Sequence, residues 1–354
     1  MGKDIYFPNL NGLRFLAALS VIVSHFYGSE LLAGHFGVIL FFALSGFLIT
    51  YLLLEEKERT DNVSIKKFYI RRILRIWPLY FIIIILAPLV AFLTNSNEFN
   101  FPNYLKALPF FLFFMPNIAY AIGIKIGFID ILWSIGSEEQ FYLFWPWIIK
   151  YSPRKILLII FAAIIAFFLI TPYTLSFLNN VAYTNNKYLY YITKIIYRMG
   201  FNSMATGAVF AFLYKFKPNS LKLIYSPQVQ FFTFAAIIIF WILKINLPAP
   251  DQIYAILFSI VIVNLATNNK SIFSLENNFF NYLGKISYGL YVYHVLSFYI
   301  YKLLFGNLKI FNHLLFIIGL ILTIGISSFS YYFIEKKFLQ IKQIKYSLLK
   351  TGKD

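Results

Sequence analysis

NGLRFLAALSVIVSHF, residues 11–26, carries one arginine and one histidine, and the residues between them are apolar except for Ser20 and Ser24. Arg14 and His25 lie eleven residues apart. At ~100° and ~1.5 Å per residue that is close to three helical turns, so both groups leave one face of a helix, ~16 Å apart along its axis. An ionisable side chain in a hydrocarbon environment costs at least ~2.5 kcal/mol on insertion scales, so such residues face a protein interior or a wet cavity and serve a site. The alternative is an arginine that snorkels to the interface and a histidine that caps the far end of the helix.

The rest of the chain says which environment this helix occupies. Of 354 residues, 60% are hydrophobic, 21% aromatic and only 13% charged, with a mean hydropathy of +0.71. That is the composition of a polytopic membrane protein. Runs of roughly 17–20 apolar residues match a hydrocarbon core about 30 Å thick. The segments expected to span are 13–28, 36–54, 76–94, 138–150 (short), 155–171, 199–214, 229–245, 252–267, 287–305 and 313–334. The expected fold class is therefore all-α, an integral membrane protein of about ten transmembrane helices. Both termini fall inside.

Charge placement supports that alternation. Lys57, Arg59, Lys66, Lys67, Arg71, Arg72 and Arg75 precede the third span, and Lys336, Lys337, Lys342, Lys345, Lys350 and Lys353 follow the last. The turns 150–155 and 215–228 are also basic, whereas 28–35 and 95–103 contain no Lys or Arg. By the positive-inside rule the basic segments are cytoplasmic. The net charge of +17 is thus topological, and nucleic acid is not an expected partner. Residues 104–122, interrupted by Pro109 and Pro116, are expected to form a re-entrant or surface-lying element on the outer side. No linker or repeat divides the chain, so residues 1–354 are read as one membrane domain, with spans over about 13–335 and a basic tail over 336–354. Residues 1–12 lack a charged n-region followed by a cleavage site, so the first span is read as retained.

With no cysteine, disulfides, thiolate metal sites and cysteine nucleophiles are excluded. His25, His35, His294 and His313 remain as the side chains that titrate near neutrality, and no zinc-spaced cluster is present. Arg72 and Arg75 in IRRILRIWPLY (70–80) stand one turn apart, a fork suited to phosphates. Flanking arginines satisfied by lipid phosphates are the competing reading. In LWSIGSEEQFYLFWP (132–146), Glu138 and Glu139 open an apolar helix at the outer face and diverge by ~100°, so one faces the bundle. A carboxylate beside an imidazole fixes its tautomer, and the alternative is an acidic helix cap. Ser287, Tyr291 and His294 share a face at i, i+4, i+7, where a buried histidine satisfied by a tyrosine hydroxyl is the simpler account. Ser45–Gly46 reads as a close helix contact. Segment 172–198, with Asn179, Asn180, Asn185, Asn186, Tyr188, Tyr190 and Tyr191, offers sugar-stacking groups or an interfacial aromatic belt.

Read in order, NGLRFLAALSVIVSHF, FFALSGFLIT, RRILRIWPLY, WSIGSEEQFYLFWP, ISYGLYVYH and SYYFIEKKFLQ resemble the bacterial membrane acyltransferase family 3, which contains O-antigen, exopolysaccharide and lipo-oligosaccharide O-acetyltransferases. The resemblance runs nearly end to end. It implies a multi-pass protein of the bacterial cytoplasmic (inner) membrane that uses cytoplasmic acyl-CoA, with Arg14 and His25 as hallmark pair and Arg72 and Arg75 as arginine motif. The expected reaction moves a short acyl group, acetyl first, to a hydroxyl of a surface polysaccharide or lipid-linked sugar. His25 is the expected general base, and Glu138 or Glu139 orients it. Arg14, Arg72, Arg75, Trp133, Ser134, Tyr142, Ser287, Tyr288 and His294 are expected on substrate. Acetyl-CoA, the saccharide acceptor and membrane lipids are the expected partners, with no metal. No serine is poised as nucleophile, so direct transfer or a transient acyl-imidazole is expected.

Two positions depart from the pattern, Lys337 in place of a frequent Pro and Asn202 in place of a frequent Asp. Many relatives add an esterase-like soluble domain, and the chain's end about twenty residues after its last span leads us to expect none here. The competing class is a glycan or lipid carrier or flippase, in which buried charges line a path. It calls for paired Gly/Pro-broken helices in two related halves, which the sequence lacks.

Overall fold

Helix follows helix through the chain, and several begin at a proline or a capping side chain. The computed structural model describes residues 6–27, 33–94, 97, 99–181, 186–243, 248–305 and 312–346. Loop 28–32, Asn185 and the tail from 347 lie outside the described residues. In chain order the helices are α1 (Leu10–Tyr27), α2 (Ala33–Thr60), α3 (Ile65–Leu93), α4 (Phe101–Leu112), α5 (Pro116–Ala121), α6 (Trp133–Tyr151), α7 (Arg154–Val181), α8 (Lys187–Met199), α9 (Phe201–Phe216), α10 (Pro227–Ile242), α11 (Pro250–Thr267), α12 (Asn278–Lys285), α13 (Ser287–Phe305), α14 (Asn312–Ser330) and α15 (Lys336–Tyr346). A π-helical turn, Tyr331–Glu335, joins the last two. No strand occurs among the described residues.

Every segment expected to span overlaps a helix among the described residues, but the helices are unequal. Six of those described are long and apolar enough to cross a membrane: Leu10–Tyr27, Gly34–Thr60, Ile65–Leu93, Arg154–Asn180, Pro250–Thr267 and His313–Ile341. Pro227–Ile242 is apolar but shorter. The chain is thus an all-helical, multi-pass membrane protein, with six helices of this length and apolarity among the described residues. Residues 104–122 do not form one span, because α4 and α5 are separated by Phe113–Met115, where Phe114 has a φ of 57°.

One boundary shift matters for function. The expected third span opens at 76, yet Ser64 caps Lys67 N at 3.4 Å and α3 runs from Ile65. Arg71, Arg72 and Arg75 are therefore carried on the helix itself, one to three turns in. Arg71 is spent on structure, in a buried ion pair with Glu56 at 3.2 Å. The basic turns assigned to one side of the membrane do meet at one end. Glu55 of α2 binds Lys215 of α9, Lys57 donates to the carbonyls of Ile149 and Ser152 at 2.7 and 2.9 Å, and Arg154 lies 3.9 Å from Glu58.

Helix α2 is central, and glycine lets its neighbours close on it. A Cβ on Gly46 would stand 1.8 Å from the carbonyl oxygen of Met204 in α9, and one on Gly207 would stand 2.0 Å from that of Ala43. The Ser45–Gly46 pair is the close contact its sequence suggested. On the opposite side, Cβ atoms on Gly34 and Gly37 would meet Ser24 Oγ at 2.6 Å and Ala17 O at 2.4 Å, so α1 is equally tight. Trp145, 1% exposed, stacks between Phe141 and Phe161 and donates to Thr50 Oγ1 at 2.7 Å, which ties α6 to α2.

Gly46→Val should weaken the folded state by at least the ~1–3 kcal/mol typical of overpacking, because backbone must move to admit it. Gly325→Ala, with nothing within 4 Å of its Cβ, should leave stability unchanged or slightly raised. Thermal denaturation of both variants in one detergent checks the contrast.

Candidate active site

Five helices bring polar groups to one cavity of about 100 Å³ in the bundle. Arg14 enters from α1, Arg72 and Arg75 from α3, Ser45 from α2, Ser134, Glu138 and Tyr142 from α6, and Ser287, Tyr288 and Tyr291 from α13. The three arginines singled out in the sequence thus converge. None of them has a carboxylate partner within ion-pair distance among the described residues. Arg72 is held by π-faces instead, 5.6 Å from the Phe68 ring centre and 5.4 Å from that of Tyr142. Its Nε is buried without a hydrogen-bond acceptor, and Oε1 of Glu139 is buried without a donor. Buried polar atoms are almost always paired, so orphans of this kind mark a place built for a bound group or water.

The glutamates are placed differently from expectation. Helices α3 and α6 run antiparallel, with Tyr69 donating to the Leu143 carbonyl at 2.6 Å and Trp77 Nε1 to Glu139 Oε2 at 3.1 Å. Since α3 starts early and Glu138 lies more than a turn into α6, the arginines and the glutamates share one level instead of occupying opposite faces. Glu138 accepts from Ser45 Oγ at 3.0 Å and from the Tyr142 hydroxyl at 2.7 Å. Neither glutamate hydrogen-bonds His25 among the described residues. The expected orienting role for Glu138 or Glu139 is corrected here.

The partner of His25 is His294, with Nε2 of His294 3.2 Å from Nδ1 of His25 and ring centres 4.9 Å apart. Hydrogen-bond logic assigns the tautomers. His294 Nδ1 lies 2.7 Å from the Tyr291 carbonyl, which can only accept, so that nitrogen carries the proton and Nε2 is the acceptor. His25 Nδ1–H is then shared between His294 Nε2 and the Val21 carbonyl at 3.0 Å. What remains is the His25 Nε2 lone pair, on a side chain that is exposed while His294 is 0% exposed. Expectation had His294 satisfied by a tyrosine hydroxyl, but the backbone carbonyl and His25 do this. The Tyr291 hydroxyl instead meets Ser134 Oγ at 2.6 Å and donates to the Ile131 carbonyl at 2.9 Å. Tyr288 donates to the Ile76 carbonyl at 2.8 Å, and Ser287 is buried at the cavity wall.

Trp133 lies outside the arginine cavity and lines a neighbouring one. Sequence reasoning passed over Ser45 as a cavity residue, since a serine beside a helix-contact glycine carries no other signal. Asn202 is buried and donates to Gln252 Oε1 at 3.2 Å, a structural bond within α9 and α11.

The chain matches the acyltransferase domain family model (Acyl_transf_3) over residues 7–332. It belongs to this acyltransferase family. A Staphylococcus aureus (strain COL) protein provisionally named an O-acetyltransferase is 28% identical over 361 residues, covering 95% of this chain and 58% of the relative. The O-acetyltransferase OatA of Staphylococcus aureus (strain NCTC 8325 / PS 47) is 27% identical over 361 residues, 93% of this chain and 57% of its own length. The peptidoglycan O-acetyltransferase OatA of Listeria monocytogenes is 36% identical over 154 residues, 40% of this chain and 24% of that protein. The chain spans 58% of the length of the first of these relatives. No solved structure matches it. The cavity gathers the three arginines, and neither His25 nor His294 is among the residues that line it.

Glu138 depends on both of its hydroxyl donors. Tyr142→Phe or Ser45→Ala should each cost ~1–3 kcal/mol of stability by leaving a buried carboxylate oxygen short of a donor. The double variant should depart from additivity by ~0.5 kcal/mol or more, because both act on one group. Melting temperatures of the four proteins in one detergent check this.

Proposed function

We propose that the protein is a membrane-bound O-acyltransferase that moves a short acyl group, acetyl in the first instance, from acyl-CoA to a hydroxyl of a cell-surface polysaccharide or lipid-linked sugar. In this reading the chain crosses the bacterial cytoplasmic membrane about ten times with both termini inside. The observation that carries it is the convergence of Arg14, Arg72 and Arg75 on one cavity without carboxylate partners. Such a site has charge to spare for a polyanion, and guanidinium forks onto phosphate oxygens at any working pH. The names of the relatives support an O-acetyl product, and the Listeria relative's name supports a glycan acceptor.

The chemistry follows from the histidine pair. With its phosphates on Arg72 and Arg75, the donor extends its thioester along α1, past Arg14 and toward His25, ~16 Å further on. His25 Nε2 takes the proton of the acceptor hydroxyl as that oxygen attacks the thioester carbonyl. The C–O bond forms, the C–S bond breaks, and the proton passes from the imidazolium to the departing thiolate. His294 is a positioning residue, since its Nε2 holds the His25 ring in the tautomer that leaves Nε2 basic and accepts from the imidazolium once it forms.

Purified full-length protein given acetyl-CoA and a glycan acceptor should release thiol. His25→Ala should lower that rate by ~10²–10⁴-fold with donor affinity intact. His294→Ala should lower kcat with little change in either KM and should shift the pH–rate profile, a change that a purely structural residue would not produce. Acceptor transport that persists in His25→Ala without thiol release would favour the carrier reading instead. Arg72→Ala/Arg75→Ala should weaken CoA binding by ~10-fold or more, with turnover recovered at high donor concentration. Unchanged donor affinity in that variant would overturn the phosphate role.

A further inference from the structure

Beside the arginine cavity lies a larger one of about 340 Å³, and Val38 and Phe42 line both. Its polar and aromatic lining is His35, Trp133, Tyr197, Arg198, Ser203 and Asp251. It sits at the start of α2, twenty residues and so ~30 Å of helix from Glu55 and the basic end. A donor entering at the basic end and a ligand entering here would approach from opposite ends of α2. The volume falls at the lower end of the ~300–1,000 Å³ typical of small-molecule sites, and the mix of aromatic wall and few polar groups is theirs as well.

Arg198, near the end of α8, decides what could bind. Its guanidinium lies 4.2 Å from the Tyr120 ring centre and 5.0 Å from that of Trp133, and the residue lines the cavity. Among the described residues those N–H groups have no hydrogen-bond acceptor. The carboxylate in the lining, Asp251, takes hydrogen bonds from His35 Nε2 at 2.6 Å and the Tyr197 hydroxyl, and it attracts the Arg198 guanidinium without forming an ion pair with it. One planar guanidinium fork suits a carboxylate, and no second Lys or Arg lines the cavity to balance a doubly charged phosphate. The aromatic walls offer faces for sugar C–H groups, while Ser203 and the His35–Asp251 pair offer partners for hydroxyls.

Resting on the acyl-transfer reading above, we propose that this cavity is the acceptor subsite and that it takes a carboxylate-bearing saccharide, whose acid group forks onto Arg198. The shared wall of Val38 and Phe42 places such a ligand next to the arginine cavity.

Isothermal titration of the full-length protein, with no donor present, tests it using two probes that differ only in one group. These are the disaccharide of glucuronic acid and N-acetylglucosamine, and its neutral counterpart carrying glucose. The acidic probe should bind at least tenfold more tightly. Arg198→Ala should abolish that preference while binding CoA as the parent does, and Ser203→Phe, which fills the cavity without touching a charge, should weaken the acidic probe at least tenfold. Equal affinity for the two probes, no binding of the acidic probe, or parent-like binding of it by either variant would overturn the subsite. Thiol release separates this from the reading it rests on. A parent that binds the acidic probe yet never releases thiol with any acceptor overturns the transfer reading and leaves the subsite standing. Thiol release that Arg198→Ala sustains with an unchanged acceptor KM overturns the subsite and leaves transfer standing.

Discussion

A guanidinium cannot be neutralised by giving up its proton, so a helix bundle that carries Arg14, Arg72 and Arg75 inward must supply something to face them. The desolvation cost of such ions is several kcal/mol each unless partners compensate. Here the compensation is deliberately incomplete. Arg71 has Glu56 and is structural, whereas Arg72 rests on the rings of Phe68 and Tyr142 with its Nε unpaired. Glu138 lies in the same cavity but its oxygens are held by Ser45 and Tyr142. The hydroxyls keep the carboxylate from collapsing onto the arginines, and the cations remain available to a ligand.

That arrangement depends on how closely α2 is approached. With glycine at 46 and 207, α2 and α9 meet backbone to backbone, and with glycine at 34 and 37, α1 does the same on another side. Close contact of this sort is what drives helix association where lipid tails remove any hydrophobic difference. It also sets the cavity's width. Ser45, one residue before Gly46, can reach Glu138 because α2 is fixed by the contact next door.

Much of this is legible in the chain, and the exceptions have physical causes. The helical segments, the Arg14–His25 face and the Arg72/Arg75 fork all follow from apolar periodicity interrupted by charge, a signal that survives in any polytopic sequence. The start of α3 was harder to see, because Lys66, Lys67 and the arginines lower hydropathy where the helix is already formed. Ser64 is the sign, since its side chain caps Lys67 N. Pairing across helices left no trace at all. Nothing in ISYGLYVYH or SHF states that residues 269 positions apart hydrogen-bond, as His25 and His294 do. A carboxylate is the natural partner to expect from known triads, but of the expected pair Glu138 lines the arginine cavity and neither Glu138 nor Glu139 hydrogen-bonds His25 among the described residues.

The choice of histidine over glutamate beside His25 has its own logic. A carboxylate there would place a permanent charge in a fully buried position, where His294 is 0% exposed, and it would need its own donors to be tolerated. A neutral imidazole avoids that cost. It can still accept from His25 Nδ1–H, because its own Nδ1 proton is anchored on the Tyr291 carbonyl. The polarisation it gives His25 is weaker than a carboxylate's, and in the proposed reaction that suits a base that must also surrender its proton to a leaving thiolate of modest basicity. Tyr291 connects the two halves of the site. Its carbonyl fixes the histidine pair while its side chain lies at the arginine cavity, so a shift of α13 would disturb both together.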